Sequence, residues 1–522
     1  MSATVVTFVG SHHLEPEASM DGLVERNAAA PVTTVLLDTF DGRLHAAGLL
    51  AIVEETGAGT TELLVAGDGA VPVRLAVDAR PRTAADLPVG PLPERIGRLL
   101  DVRVLLPVLE VRSRRRRLAV VDDEGKERVR VDVHVDVAVD VAGDRDDDGD
   151  GEHDDAADGA VFFVVHALVG YAADAARVRD ALGRHGTRRV DGELPVALAA
   201  LLDVDLRGIS GTPGAELDRR QSALSGFRAV LDDLAATIDA NRPGTIDDLD
   251  PEFLHDLRVA VRRTRSILGH ARHVLPGTVR DRARSEFQEL GTITSPARDL
   301  DVQVLEWDDL VSTFDAETAA ALDPVRDLLV RRRAEAHDVL AAELSGTSCA
   351  ELLDRWRAWL DEPDVDGGTQ ADDPLGEVVA DRIERTQRRL LRDGRAIDDG
   401  SPAAALHELR KDAKKLRYLF ECFASILPAA PRKRFVTRLK RLQDVLGEHQ
   451  DAGVHAAQLA SIARELHASG VEAETLVAIG RLVELQERRC TDARARFADT
   501  FDEYDSDRTE AALSKVLGKL RR

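Results

Sequence analysis

His255-Asp-Leu-Arg258-Val-Ala-Val-Arg262-Arg263-Thr-Arg265 recurs as His407-Glu-Leu-Arg410-Lys-Asp-Ala-Lys414-Lys415-Leu-Arg417, 152 residues later at every matching position. The same offset carries Pro276 to Pro428, Leu290 to Leu442, Asp299 to Asp451 and Val302 to Val454. A spacing held over about 45 residues marks a duplication, and so two similar halves within one helical domain. At about 100° per residue, the first, fourth, eighth and eleventh positions of the motif fall at about 0°, 300°, 340° and 280°. His255, Arg258, Arg262 and Arg265 therefore share one helix face, beside an apolar stripe of Leu254, Leu257, Val261 and Leu268. In the second copy His407, Arg410, Lys414 and Arg417 stand against Leu406, Leu409, Ala413 and Leu416. Arg263 and Lys415 fall at about 80° and flank the rows.

Cations stacked on one face repel, at roughly a few tenths of a kcal/mol per pair. A chain tolerates that where carboxylates compensate or where the row awaits an anion. Carboxylates are few here: residues 404–447 hold 11 Lys and Arg against 4 Asp and Glu, inside a chain of net charge −24. Two such helices facing each other make a basic cleft, in which guanidinium forks match phosphate oxygens and a histidine adds a pH-dependent donor. The competing reading is a solvated helix face, or pairing with carboxylates of neighbouring helices. Two copies in register favour the anion site.

The rest of the chain bounds the answer. Its 522 residues suggest two to four domains. Arg supplies 62 of the 70 cations and Lys only eight. Abundant carboxylates with little lysine suit a cytosol at very high salt; an acidic protein from a high-GC genome is the alternative. The acidity argues against a general nucleic-acid binder, which shows a basic domain. Cys349, Cys422 and Cys490 lie far apart without metal-type spacing, as in a reducing cytosol. No apolar run reaches the ~18 residues of a membrane span, and no secretory signal opens the chain. We expect a cytoplasmic protein without cofactor, metal or membrane partner.

Residues 1–208 read as strand-rich, 209–215 as a linker, and 216–522 as all-α, with halves at about 216–360 and 374–520. Strands are predicted at 33–37, 49–54, 61–66, 71–77, 102–111, 117–121, 129–141 and 160–169, with short helices at 94–100 and 173–184. Val129 to Val141 carries Val at every odd position, which buries Val on one face and turns Arg130, Asp132, His134, Asp136 and Asp140 to the other. Together these segments suggest a barrel or curled antiparallel sheet. The acidic segment 144–158 places Asp144, Asp146, Asp148, Gly149 and Asp155 near calcium-loop positions, but the flanking strands make it a solvated hairpin loop. The fold class is thus α+β and multidomain.

The repeated motif resembles the CHAD family, the conserved-histidine α-helical domain, whose hallmark is His-x-x-Arg-x-x-x-basic-basic-x-Arg in each of two halves. The resemblance covers about 216–520. It includes Pro251 to Arg263, Ala297-Arg298-Asp299-Leu-Asp301-Val302 and Leu442-Gln-Asp-Val-Leu-Gly447. It implies two four-helix bundles about a pseudo-two-fold, a basic central cavity, and binding of inorganic polyphosphate without catalysis in the domain itself. Carried over, the binding candidates are His255, Arg258, Arg262, Arg265, His407, Arg410, Lys414 and Arg417. Arg263, Lys415, Arg298, Arg434 and Lys440 stand behind them. Association with polyphosphate granules would follow.

The N-terminal region more weakly resembles the CYTH family of triphosphate tunnel enzymes. Glu15-Pro-Glu17 is similar to the start of that family's E-x-E-x-K strand, Val35 to Leu44 to its Y-x-D-T-x-D-x-x-L segment, and Leu106 to Arg117 to its basic strand. Ser19 stands where the lysine belongs, and 161–169 is nearly all apolar where paired metal-binding glutamates are expected. The resemblance therefore implies a catalytically degenerate domain. Two alternatives stay open: a metal-dependent triphosphatase acting through this domain, and an interaction module for acidic partners or nucleic acid.

Overall fold

The valine-rich segment leads into the first of two units, 1–209 and 210–522. The computed structural model describes residues 5–11, 23–57, 59–67, 72–141, 160–209, 211, 213–363 and 365–522. Glu15, Pro16, Glu17 and Ser19 lie outside the described residues, as does the acidic segment 144–158.

The first unit holds β1 (Val5–Ser11), β2 (Leu23–Asp38), β3 (Leu49–Thr56), β4 (Thr61–Gly67), β5 (Val73–Val77), β6 (Leu106–Val121), β7 (Glu127–Val141), β8 (Ala160–Ala167) and β9 (Arg188–Asp191). Its helices are α1 (Arg43–Ala46), α2 (Pro91–Leu100), α3 (Ala172–Arg184) and α4 (Leu194–Leu201). The strands form one sheet, β5-β4-β3-β2-β6-β7-β8-β1-β9, antiparallel throughout. Among the described residues β5 and β9 are its edges.

Three sequence expectations change here. The predicted strands 102–111 and 117–121 are parts of one strand, β6, because its ladders with β2 and β7 run on through Arg112–Arg117. β1, β9 and α4 were not predicted; β9 has only four residues, too few for an alternation to read. The Val row of β7 does not keep to one face. Val129, Val131 and Val133 pack with Phe163, Val165 and the Val178 side of α3. Asp136 then takes φ 51°, at a bulge where pairing steps from Arg114↔Val135 to Arg112↔Ala138. Beyond it Val137 joins Leu109, Phe162 and Leu198 of α4 on the opposite face. An extra residue in a ladder shifts every later side chain across the sheet. Both faces are covered, so Asp132 and His134, on the face opposite the valines, are buried. The apolar run of β8 follows: its odd residues face one core and its even residues the other.

The second unit is helical: α5 (Ala223–Ile246), α6 (Pro251–His270), α7 (Gly277–Ile293), α8 (Ser295–Leu305), α9 (Trp307–Val311), α10 (Ala316–Ala321), α11 (Asp323–Ser345), α12 (Thr347–Asp361), α13 (Leu375–Arg395), α14 (Ala403–Cys422), α15 (Ala429–Ala468), α16 (Ala473–Tyr504) and α17 (Asp507–Leu520). The 152-residue offset survives in three dimensions. α14 repeats α6 to the residue, α13 starts at the counterpart of the first residue of α5 and ends three residues short of its repeat, and an antiparallel bridge joins Ser222 to its counterpart Pro374. Its two bonds exchange under the same offset: Ala223 N donates to Asp373 O at 2.9 Å, and Leu375 N donates to Gln221 O at 2.9 Å. That reciprocity is a local pseudo-two-fold axis. Each half has four longer helical spans and a shorter closing helix, α12 or α17, and one continuous apolar core draws on both halves.

The halves part where Pro296 stands opposite Glu448. A proline lacks the N–H that continues a helix, so the first half breaks into α7 and α8 at Thr294. The second half runs unbroken through the 40 residues of α15.

Candidate functional site

The row-bearing helices α6 and α14 lie side by side. Asp250 starts α6 by accepting from Glu252 N at 2.9 Å, with Pro251 at the first helical position. The apolar stripe of α6 is fully in the core, Leu257 and Val261 at 0% exposure. Burial of that stripe fixes the rotation of the helix and so aims the basic row.

Between α6, α14, the middle turns of α13 and part of α7 lies a cleft of about 700 Å³. Ten arginines and lysines line it: Arg262, Arg265, Arg272, Arg284, Arg382, Arg385, Arg389, Lys411, Lys414 and Lys415. No Asp or Glu does. Three of these cations decide what the cleft can do. Arg262, Arg265 and Lys414 have no hydrogen bond or ion pair among the described residues, and the Nε of Arg262 is buried without a partner. Burial, together with Arg410, Arg262 and Arg417, pushes the Lys414 ammonium down to about 8. Burial and the neighbouring Arg262 likewise bring Arg258 down to about 10. Uncompensated, partly desolvated cations are a cost to the fold, and an entering polyanion removes it.

Four of the thirteen sequence candidates, Arg262, Arg265, Lys414 and Lys415, thus line the cleft. The others sit elsewhere. Arg298 donates to His255 Nδ1 at 2.8 Å and to Pro251 O at 3.0 Å. The matching contact in the second half runs from His407 Nδ1 to Gln450 Oε1 at 3.1 Å. Arg258 reaches the break between α7 and α8, donating to Thr294 Oγ1 at 3.0 Å and Ser295 Oγ at 2.9 Å. The unbroken α15 offers no such hydroxyls, and Arg410 instead grips Asp451 with two bonds of 3.0 and 2.9 Å. Arg417 stands 3.4 Å from Glu421. Arg434 and Lys440 are exposed on α15, outside the cleft lining. Arg263 is buried and donates to Glu421 Oε2 at 2.9 Å and to the backbone of Gly211, so its surroundings are those of a structural ion pair.

Sequence reasoning missed Arg272, Arg284, Arg382, Arg385, Arg389 and Lys411. On α13 the positions 382, 385 and 389 have helical spacing and share a face. Their counterparts in the first half are Val230, Asp233 and Thr237, so a search by repeat could not find them. Arg382 holds the end of α6, donating to His270 O at 2.9 Å and Arg272 O at 2.8 Å. Burial, with Arg382, Lys415 and Arg389 nearby, lowers His270 to about 4 and keeps it neutral.

Asp451 leads to a prediction. It already occupies Arg410, as an internal anion that a ligand must displace. Asp451→Asn therefore raises affinity for tripolyphosphate by roughly five-fold, about 1 kcal/mol, read by calorimetric titration; an unchanged or weaker affinity contradicts the competition.

The first unit holds a second charged cluster. Arg115 donates to Glu54 at 3.0 Å, Arg117 donates to Asp132 at 2.8 Å, and His166 stands 3.4 Å from Asp132. Burial opposes ionisation of Asp132, but His166 and Arg117 hold its carboxyl far below the usual range. These carboxylates already have cationic partners. No group of three or more His, Cys, Asp or Glu is placed to hold a metal among the described residues. Asp38, in the segment resembling the Y-x-D-T motif, accepts from the backbone of Thr39, Leu44 and His45 at 2.7–2.8 Å, anchoring the turn into α1.

Fold and cleft together define a duplicated all-α domain with a cation-lined groove between its repeats. Residues 229–460 match the family model of the CHAD domain, and that stretch of the helical unit is a CHAD domain. Two solved structures are similar. The CHAD domain from the plant Ricinus communis is 24% identical, covering 58% of this chain and 96% of its own, with a TM-score of 0.46. PptA from Streptomyces chartreusis is 19% identical, covering 54% of this chain and 99% of its own, with a TM-score of 0.42. No curated protein matches the chain. No helix among the described residues is long and apolar enough to cross a membrane.

Proposed function

We propose that the helical unit binds inorganic polyphosphate or a similarly dense polyanion in the cleft between α6 and α14, without catalysing a reaction on it. The observation that carries this reading is the charge of the lining: ten cations, no carboxylates, and Arg262, Arg265 and Lys414 unpartnered among the described residues. Closely spaced phosphates answer several of these cations at once, and each guanidinium can meet two oxygens. A cytoplasmic setting and contact with polyphosphate granules belong to the same proposal. So does a salt-dependent affinity, since a long anion releases counterions on binding.

The test is competition. Labelled long-chain polyphosphate bound to the intact protein should resist displacement by duplex DNA or RNA at equal phosphate concentration. Displacement at parity would replace this reading with a general polyanion surface. The triphosphatase alternative predicts Mg²⁺- or Mn²⁺-dependent hydrolysis of tripolyphosphate; the neutralised carboxylates of the first unit argue against it.

Lys414 supplies a pH prediction. Its folded value of about 8 lies below that of an ordinary lysine, so its charge disappears as pH rises through about 8. Polyphosphate affinity falls over pH 7 to 9, and Lys414→Arg removes that dependence because a guanidinium stays charged. The stability linkage has the matching sign: the unfolded chain binds more protons above about pH 8, so the cost of Lys414 to the fold relaxes as pH rises. A pH profile that is identical for wild type and Lys414→Arg would exclude Lys414 from the site.

A further inference from the structure

A second cavity lies in the helical unit, among α9, α11, α15 and α16, with a lining distinct from that of the basic cleft. Its volume of about 380 Å³ falls at the small end of the range for small-molecule sites, roughly 300–1,000 Å³. Trp307, Leu329 and Leu459 give it an apolar wall, at 4%, 3% and 6% exposure. Two buried polar groups on that wall have no partner among the described residues. Gln486 is 2% exposed, yet its side-chain amide makes no hydrogen bond among the described residues, and the same holds for the indole N–H of Trp307. Both residues line the cavity. Buried amides and indoles normally find a partner. These two present one indole donor, one amide donor and one amide acceptor to whatever fills the space.

The rim adds a second signal. Glu306 and Asp309, three residues apart, stand on one helical face at the exposed mouth with Arg489 across from them, and none of the three has an ion-pair partner among the described residues. Two carboxylates against Arg489 and the imidazole of His455 leave no net positive charge to draw a phosphate, and they suit hydroxyl groups, from which a carboxylate accepts. We propose that this cavity binds an uncharged pyrimidine nucleoside, or a heterocycle of that kind. The base has a flat apolar face for Trp307, Leu329 and Leu459. Its edge offers two acceptors and one donor, the complement of Trp307 and Gln486, and its sugar hydroxyls reach Glu306 and Asp309. The site shares no residue with the cationic cleft lining, so it stands independently of the polyphosphate reading.

The test uses the intact chain and uridine and cytidine as probes, with toluene as an apolar filler of the same cavity. At least one nucleoside should bind saturably with one site per chain. Gln486→Leu and Trp307→Phe should each weaken it about ten-fold, the worth of a buried hydrogen bond, while polyphosphate affinity stays unchanged. Glu306→Ala, at the exposed rim and harmless to the core, should weaken it several-fold, which keeps the test decisive if a core variant fails to fold. The proposal is overturned if neither nucleoside binds at roughly millimolar concentration, if toluene binds as well as they do, or if the variants leave nucleoside affinity unchanged.

Discussion

Replacing Arg262 and Lys414 together by glutamine should weaken polyphosphate binding about a hundred-fold while making the protein more resistant to heat. The two effects have one cause. Neither cation has a partner among the described residues, the Nε of Arg262 is buried unsatisfied, and the ammonium of Lys414 is pushed down to about 8 by burial and by its cationic neighbours. Each charge-assisted bond to a phosphate contributes roughly 1.5 kcal/mol or more, so each removal costs about ten-fold and the pair about a hundred-fold. Without ligand the same residues repel each other, and neutral amides relieve that repulsion. Binding that falls while the melting temperature rises marks residues kept for a ligand. A double variant that binds normally, or that loses binding only because it unfolds, contradicts the assignment. Within the rows, Arg262→Lys and Arg265→Lys keep the charge but lose the planar fork, so they should still weaken binding.

Arg263→Ala should behave in the opposite way. Arg263 is 8% exposed, and its guanidinium donates to Glu421 at 2.9 Å and to the backbone of Gly211. Removing it leaves Glu421 to the weaker contact with Arg417, 3.4 Å away. Breaking a buried pair costs about 3 kcal/mol, and denaturant unfolding should show a loss of that order. Polyphosphate affinity of the folded fraction should stay within about two-fold of wild type. A stable variant with abolished binding would show that Arg263 faces the anion after all.

The contrast between Arg262 and Arg263 shows how much of the site the sequence could carry. Helical periodicity placed Arg262, Arg265 and Lys414 on one face and Arg263 off it, and the 152-residue offset announced the duplication that Ser222 and Pro374 display as a reciprocal bridge. Periodicity says which face a residue occupies. It does not say what the facing helix brings. Arg410 shares the row of Lys414, but Asp451 of α15 hydrogen-bonds Arg410 and reaches Lys414 only through space. Arg382, Arg385 and Arg389 enter the cleft from a helix whose counterpart carries Val230, Asp233 and Thr237, so their role exists only in the assembled fold. In the first unit, the Val row of β7 was legible as a strand. The turn of Asp136 to φ 51°, which hands the row from one core to the other, left no trace in the alternation. The burial of Asp132 and His134 was equally hidden, because it depends on α4 packing over the second face.

The chain has eight lysines, and three of them, Lys411, Lys414 and Lys415, line the cleft. Lysine acetylation followed by mass spectrometry, with and without long-chain polyphosphate, therefore reads the location of the anion directly. The proposed site predicts protection of Lys411, Lys414 and Lys415, with Lys126, Lys433, Lys440, Lys515 and Lys519 labelled as before. Protection spread evenly over all eight, or confined to Lys433 and Lys440 on the exposed side of α15, would contradict it.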